Sequence, residues 1–97
     1  MPPFDPSTID EVIHGRIRLG IMAYLADVEV ADFNTLKAVL SATPGNLSIQ
    51  LRKLEDASYI AIEKSFVRRK PLTRARITPA GRHAFAAYLD AIGQLIG

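Results

Sequence analysis

Residues 43–81 read TPGNLSIQLRKLEDASYIAIEKSFVRRKPLTRARITPAG, and the hydrophobic period changes twice within them. Thr43 followed by Pro44 is a helix start: a hydroxyl to cap, then proline at the first helical position, where its missing N–H is no loss. From Pro44 to about Ala57, Leu47, Leu51 and Leu54 recur at i, i+4 and i+7, the spacing of one buried helical face. The period then drops to two. Ile60 and Ile62 alternate with less apolar neighbours in a strand over Tyr59–Glu63. A basic loop, Ser65–Leu72, follows, with Pro71 suited to it because it cannot donate to a ladder. A second strand over Thr73–Thr78 sets Arg74 and Arg76 on one face and Ala75 and Ile77 on the other. Thr78-Pro79 repeats the cap-and-proline signal and opens a last helix, 79–97, striped by Phe85, Tyr88, Leu89, Ile92, Leu95 and Ile96.

Upstream, the opening residues 1–6 are proline-rich and read as irregular. Ser7 or Thr8 can cap a short helix to about Ile13, with Gly15 as a break. RIRLGIMAYLA, residues 16–26, is apolar on nearly every side after its two arginines, which suits the centre of a small domain. Residues 27–32 read as a connection with room for a very short strand. Asp32 or Asn34 then caps a helix whose inward face is Leu36, Val39 and Leu40, and only a short connection, beginning at Ser41, separates it from the helix that opens at Pro44. The expected fold is therefore mainly α with a small β-hairpin (α+β): one domain over 1–97, with a three-helix core, a wing and a C-terminal helix.

Composition limits what such a domain does. The chain has 97 residues, 48% of them hydrophobic, and no cysteine, which excludes a disulfide framework, a thiol nucleophile and a Cys-ligated metal. The apolar content is too high for a disordered chain. No apolar run approaches the roughly 18–20 residues of a membrane span, and the start MPPFDPSTIDEV lacks the features of a signal peptide, so a cytoplasmic protein with no membrane contact is expected. His14 and His83 are the only histidines and share no ligand or triad spacing. The carboxylates fall mostly at helix starts or beside bases. No enzyme, metal site or cofactor is expected.

The formal charge of +2 hides a segregation: −3 over residues 1–45, +6 over 46–82 and −1 over 83–97. Acids are absent from residues 64–89. A basic stretch confined to one helix and one hairpin points to a polyanion.

Four segments, RIRLGIMAYL (16–25), NLSIQLRKLE (46–55), Tyr59–Ile62 and TRARITPAG (73–81), resemble in their order the small bacterial and archaeal winged helix-turn-helix transcriptional regulators of the MarR/ArsR-like class. The resemblance covers roughly residues 12–90. It implies a homodimer on double-stranded DNA, with the helix 44–57 in the major groove and the wing 65–76 on the backbone or minor groove. One departure is Ser58, where the family usually has glycine at the helix exit. His14 matches a position often histidine in the family, and its plain reading is packing or capping.

With Leu47, Leu51 and Leu54 turned inward, the opposite side of the helix collects Gly45, Asn46, Ile49, Arg52 and Lys53, with Ser48 and Gln50 flanking it. Arg52 suits guanine, Asn46 or Gln50 adenine, and Ile49 a thymine methyl. Ser48 and Thr43 suit phosphate. Lys64, Arg68, Arg69, Lys70, Arg74 and Arg76 supply the wing, with Phe66 packed beneath it. A dimer seam is expected from Ile9, Val12, Phe85, Tyr88, Leu89, Ile92, Leu95 and Ile96. Two alternatives stand beside this reading: a winged-helix protein-interaction module, and a repressor that senses a metal or ligand through His14, His83 and nearby acids. An RNA reader would need an exposed aromatic platform, which the sequence lacks. The operator, the sign of regulation and any small-molecule effector are not legible.

Overall fold

The computed structural model describes residues 5–96, so the first four positions of the proline-rich opening and Gly97 of the last helix lie outside it. Four helices and a three-stranded antiparallel sheet are present: α1 Arg16–Val28, β1 Val30–Asp32, α2 Phe33–Leu40, α3 Pro44–Asp56, β2 Ile60–Val67, β3 Lys70–Ile77 and α4 Pro79–Ile96. The sheet order is β1-β3-β2. The α+β class, the helix order and the hairpin agree with the sequence.

Helix α1 is the centre of the domain. Ile17, Ile21, Met22 and Leu25 are buried in it and meet Leu36 of α2, Leu47, Leu51 and Leu54 of α3, Ala75 and Ile77 of β3, and Tyr88 of α4. Gly20 lets α2 approach, since a Cβ there would sit 2.6 Å from Leu40 Cδ2. The caps follow the sequence. The Asp32 carboxylate accepts from Thr35 N at 2.7 Å, and Thr43 Oγ1 accepts from Asn46 N at 3.2 Å. Thr78 Oγ1 accepts from Gly81 N at 2.9 Å while donating to the Ser58 carbonyl at 2.6 Å.

The exit of α3 explains the departure at Ser58. Tyr59 N donates to Leu54 O and Ser58 N to Glu55 O, the paired bonds of a Schellman motif, and Ser58 holds its left-handed position at φ 66°. Ser41 does the same after α2, at φ 50°, with Ala42 N on Lys37 O. Glycine is the usual residue at both places because a Cβ crowds the following carbonyl there.

Four expectations change. The helix over Ser7–Ile13 is instead a 3₁₀ turn, Pro6–Thr8, capped by Asp5, and then a turn in which Asp10 Oδ1 accepts from Val12 N and Ile13 N. A span of seven residues is too short to nucleate an α-helix on its own. Val39 is half exposed, so α2 turns Leu36 and Leu40 inward without it. The basic loop Ser65–Leu72 is almost entirely strand: β2 and β3 pair from Ile60↔Ile77 to Val67↔Lys70, leaving Arg68 and Arg69 as a two-residue turn with φ 53° and 68°. Both residues lie at positive φ, the pattern of the tight hairpin turns whose twist matches that of the strands. Pro71 fits within β3 because it faces Phe66 in the pair next to the one closing the turn, so its nitrogen points away from β2. Finally, Phe66 is 76% exposed and does not pack beneath the wing. Beyond Ile62, β2 has no buried residue, and neither does α4 beyond Ile92, so both ends stand off the core of a molecule measuring 58 × 25 × 21 Å.

Candidate nucleic-acid interface

Helix α3 buries three leucines and exposes the rest of its circumference in two flanks. On the flank toward the sheet, Ser48, Arg52 and Glu55 line an open groove of about 490 Å³ with Lys64 and Thr73, over a floor of Phe33, Leu51 and Ile62. The groove puts the outer side of α3 and the inner face of the wing on one side of the molecule. Alternation along β2 carries that face outward from Ile60 and Ile62 to Lys64 and Phe66, and Thr73 and Pro71 oppose the last two. Phe66 is thus an exposed aromatic on the groove side of the hairpin.

Between the flanks lie Gly45 and Ile49. Ile49 is 57% exposed. A Cβ on Gly45 would meet nothing within 4 Å, and its φ is not positive, so neither packing nor backbone within the chain requires glycine there. The opposite flank carries Asn46, Gln50 and Lys53. Asn46 and Lys53 are exposed, whereas Gln50 is half-buried and bonded on both sides: its Oε1 accepts from Arg18 Nη1 at 2.5 Å and its Nε2 donates to Asn46 Oδ1 at 2.9 Å.

The six wing cations differ in their surroundings. Arg76 lies between Glu29 at 3.5 Å and Glu63 at 3.3 Å, the two ion pairs among the described residues. Arg74 faces Asp32 across the β1–β3 ladder, and its charge adds to the Thr35 N–H bond, the main cause, in holding the Asp32 carboxyl below its ordinary value. Lys64, Arg68, Arg69 and Lys70 are exposed and have no carboxylate in ion-pair range among the described residues. Four free cations thus extend along the hairpin to its tip, while at its base Arg76 is ion-paired and exposed Arg74 faces Asp32 with no ion pair among the described residues.

The residues expected at a dimer seam also divide. Tyr88 is buried in its own chain with its hydroxyl 2.9 Å from His14 Nδ1, which gives His14 a packing partner. Ile9, Val12, Phe85 and Ile92 are half-buried against the same core. Leu89, Leu95 and Ile96 are 52%, 51% and 82% exposed on α4. No group of three or more His, Cys, Asp or Glu side chains comes together among the described residues, and no helix there is long and apolar enough to cross a membrane.

Arg18 and the Asp10–Tyr59 pair were not legible as part of this region. Arg18 also donates to Val12 O at 2.5 Å and Glu11 O at 3.5 Å, tying the N-terminal segment to α3. Tyr59 donates its phenol to Asp10 Oδ2, and that bond, with burial and the carboxylate charge, pushes the Tyr59 pKa up to about 12. The Arg18–Gln50 and Tyr59–Asp10 bonds join residues 32 and 49 positions apart, beyond the reach of any local pattern.

The profile of the family described as winged helix DNA-binding domain matches residues 17–96. An uncharacterized protein of Methanocaldococcus jannaschii is 36% identical over 85 residues, 88% of this chain and 92% of its own. Among solved structures, a transcriptional regulator homologue from Pyrococcus horikoshii OT3 superposes with a TM-score of 0.84 at 31% identity, covering 90% of this chain and 86% of that one.

Proposed function

The chain belongs to the winged helix DNA-binding domain family, and on that premise we propose that it is a sequence-specific transcriptional regulator acting on double-stranded DNA as a homodimer. The observation that carries this reading is the shared side of α3 and the wing: a helix with an exposed polar face beside a hairpin bearing four free cations. A major groove admits one helix, and α3 offers Arg52 for guanine O6 and N7 and Ile49 for a thymine methyl. Lys64, Arg68, Arg69 and Lys70 meet phosphates or an adjacent narrow minor groove, with exposed Phe66 against deoxyribose. Ser48 and the Thr43-capped start of α3 contact the backbone, and Gly45 lets it come close. Arg76, paired with Glu29 and Glu63, acts mainly as a support for the base of the wing, and exposed Arg74 adds to the phosphate contacts. Leu89, Leu95 and Ile96 form the seam with a second copy, which sets two recognition helices on successive major grooves. The similarity to a protein described as a transcriptional regulator homologue favours regulation over another use of DNA binding.

The test is selection of bound duplexes from a random pool by the full chain. A two-fold symmetric motif with half-sites about one helical turn apart is expected. Arg52→Ala relaxes the preference at one base pair of each half-site by about 1–3 kcal/mol while enrichment elsewhere in the motif survives. No enrichment from the pool overturns the reading in favour of a protein-docking winged helix.

A further inference from the structure

We propose that Arg18, on α1, is a positioning residue for base specificity: it fixes which end of the Asn46 amide the protein offers to DNA. The inference rests on the reading of α3 as a recognition helix. A guanidinium has five donors and no acceptor. Beside Gln50 it can meet only the amide oxygen, as it does at 2.5 Å. That turns the Gln50 NH2 toward Asn46, where it in turn can meet only Oδ1, at 2.9 Å. The polarity of the chain Arg18→Gln50→Asn46 is therefore set at its inner end, by a group unable to accept.

The guanidinium is itself held in place. Its Nε donates to Val12 O at 2.5 Å and its Nη2 to Glu11 O at 3.5 Å. Arg18 and Gln50 are half-buried and Asn46 is exposed, so the relay runs from the packed interior to the outer face of α3. A free asparagine presents oxygen and NH2 side by side, the pair that fits adenine N6 and N7. With Oδ1 turned back onto Gln50, Asn46 presents its NH2. Two donors fit an edge that carries acceptors, guanine N7 and O6. Asn46 thus reads guanine rather than the adenine that its residue type alone suggests, and the cause is a side chain with no place on the recognition helix.

The decisive variant is Gln50→Glu. The introduced carboxylate accepts from Arg18 with one oxygen and can only accept from Asn46 with the other, so the Asn46 amide must turn over and expose Oδ1. Duplex selection with the full chain should show, at the position lost in Asn46→Ala, a guanine preference of about fivefold or more in the wild type. Gln50→Glu should move that preference to bases with an exocyclic amine donor, adenine or cytosine, whatever its effect on overall affinity. Arg18→Met should broaden the position to include adenine, and Arg18→Lys, also donor-only, should keep guanine. In the free protein, the Asn46 side-chain NH2 resonances should titrate with the introduced carboxyl in Gln50→Glu and stay pH-independent in the wild type. The same base selected by the wild type and Gln50→Glu, with other positions intact, overturns the relay and leaves the DNA reading standing. A wild type that enriches no motif overturns both. If Arg18→Met does not melt cooperatively, Gln50→Glu carries the test, since it keeps the Arg18 partner.

Discussion

Ser58 concentrates the conflict between sequence and conformation at a single residue. Its left-handed φ of 66° is imposed by the Schellman bonds of α3 and by the carbonyl it gives to Thr78. Ser58→Gly should raise unfolding stability by about 0.5–1 kcal/mol, the relief of the Cβ clash less the extra freedom of glycine in the unfolded chain, read as a higher urea midpoint at constant m. Tyr59, the next residue, gives a pH signature. Its phenol pKa lies at about 12 against an ordinary 10.0, because the neutral form donates to Asp10. The bond's stabilisation is fully present below pH 10 and is lost as pH rises toward 12. Phenolate absorbance should show one of the three tyrosines ionising late, and Tyr59→Phe should remove that phase together with the alkaline loss of stability.

Among the elements, the wing sets a local backbone cost against charge. Arg68 and Arg69 occupy two consecutive positive-φ positions, where asparagine and glycine are the favoured pair. Nothing in the hairpin's own packing calls for arginine there, since both side chains are exposed. The combined change Arg68→Asn, Arg69→Gly should therefore stabilise the domain by about 1 kcal/mol or more in a denaturant melt. It should also weaken duplex binding and reduce the slope of log K against log salt by about 2, one phosphate contact for each arginine. Unchanged binding would mean that the tip does not reach DNA. A salt slope measured on the same duplex for Arg76→Ala should change much less, because Arg76 is already paired with Glu29 and Glu63.

For the whole molecule, the exposed end of α4 is the largest departure from a self-contained domain. Three large apolar side chains, Leu89, Leu95 and Ile96, remain in water while Tyr88 and Ala91 of the same helix are buried. In the proposed homodimer, packing against a second α4 would remove that exposure. Leu95→Asp with Ile96→Asp should leave the thermal melt of the domain nearly unchanged, while sedimentation shifts from dimer to monomer. Binding to a duplex carrying both half-sites should then fall far more than binding to a single half-site. A wild-type chain that sediments as a monomer at high micromolar concentration would remove the dimer from the proposal.

The sequence by itself determined the element order, three of the helix caps and the three leucines of α3, because these follow from spacing and cap chemistry within a few residues. It also located the basic third quarter of the chain, since charge is additive along a sequence. It misread the wing as a loop: glycine and asparagine normally mark a tight turn, and here two arginines stand in it. Exposure of Phe66 depended on how far the hairpin extends past the core, and that of Val39 on the rotation of α2, which turns Leu36 and Leu40 inward and Val39 out; no local periodicity reports either. Only the tertiary structure decided which cations are free, because Glu29 and Glu63 meet Arg76 through sheet pairing. Only it decided the orientation of Asn46, because hydrogen-bond direction passes to it from Arg18, twenty-eight positions earlier in the chain, through contacts made when α1 packs on α3.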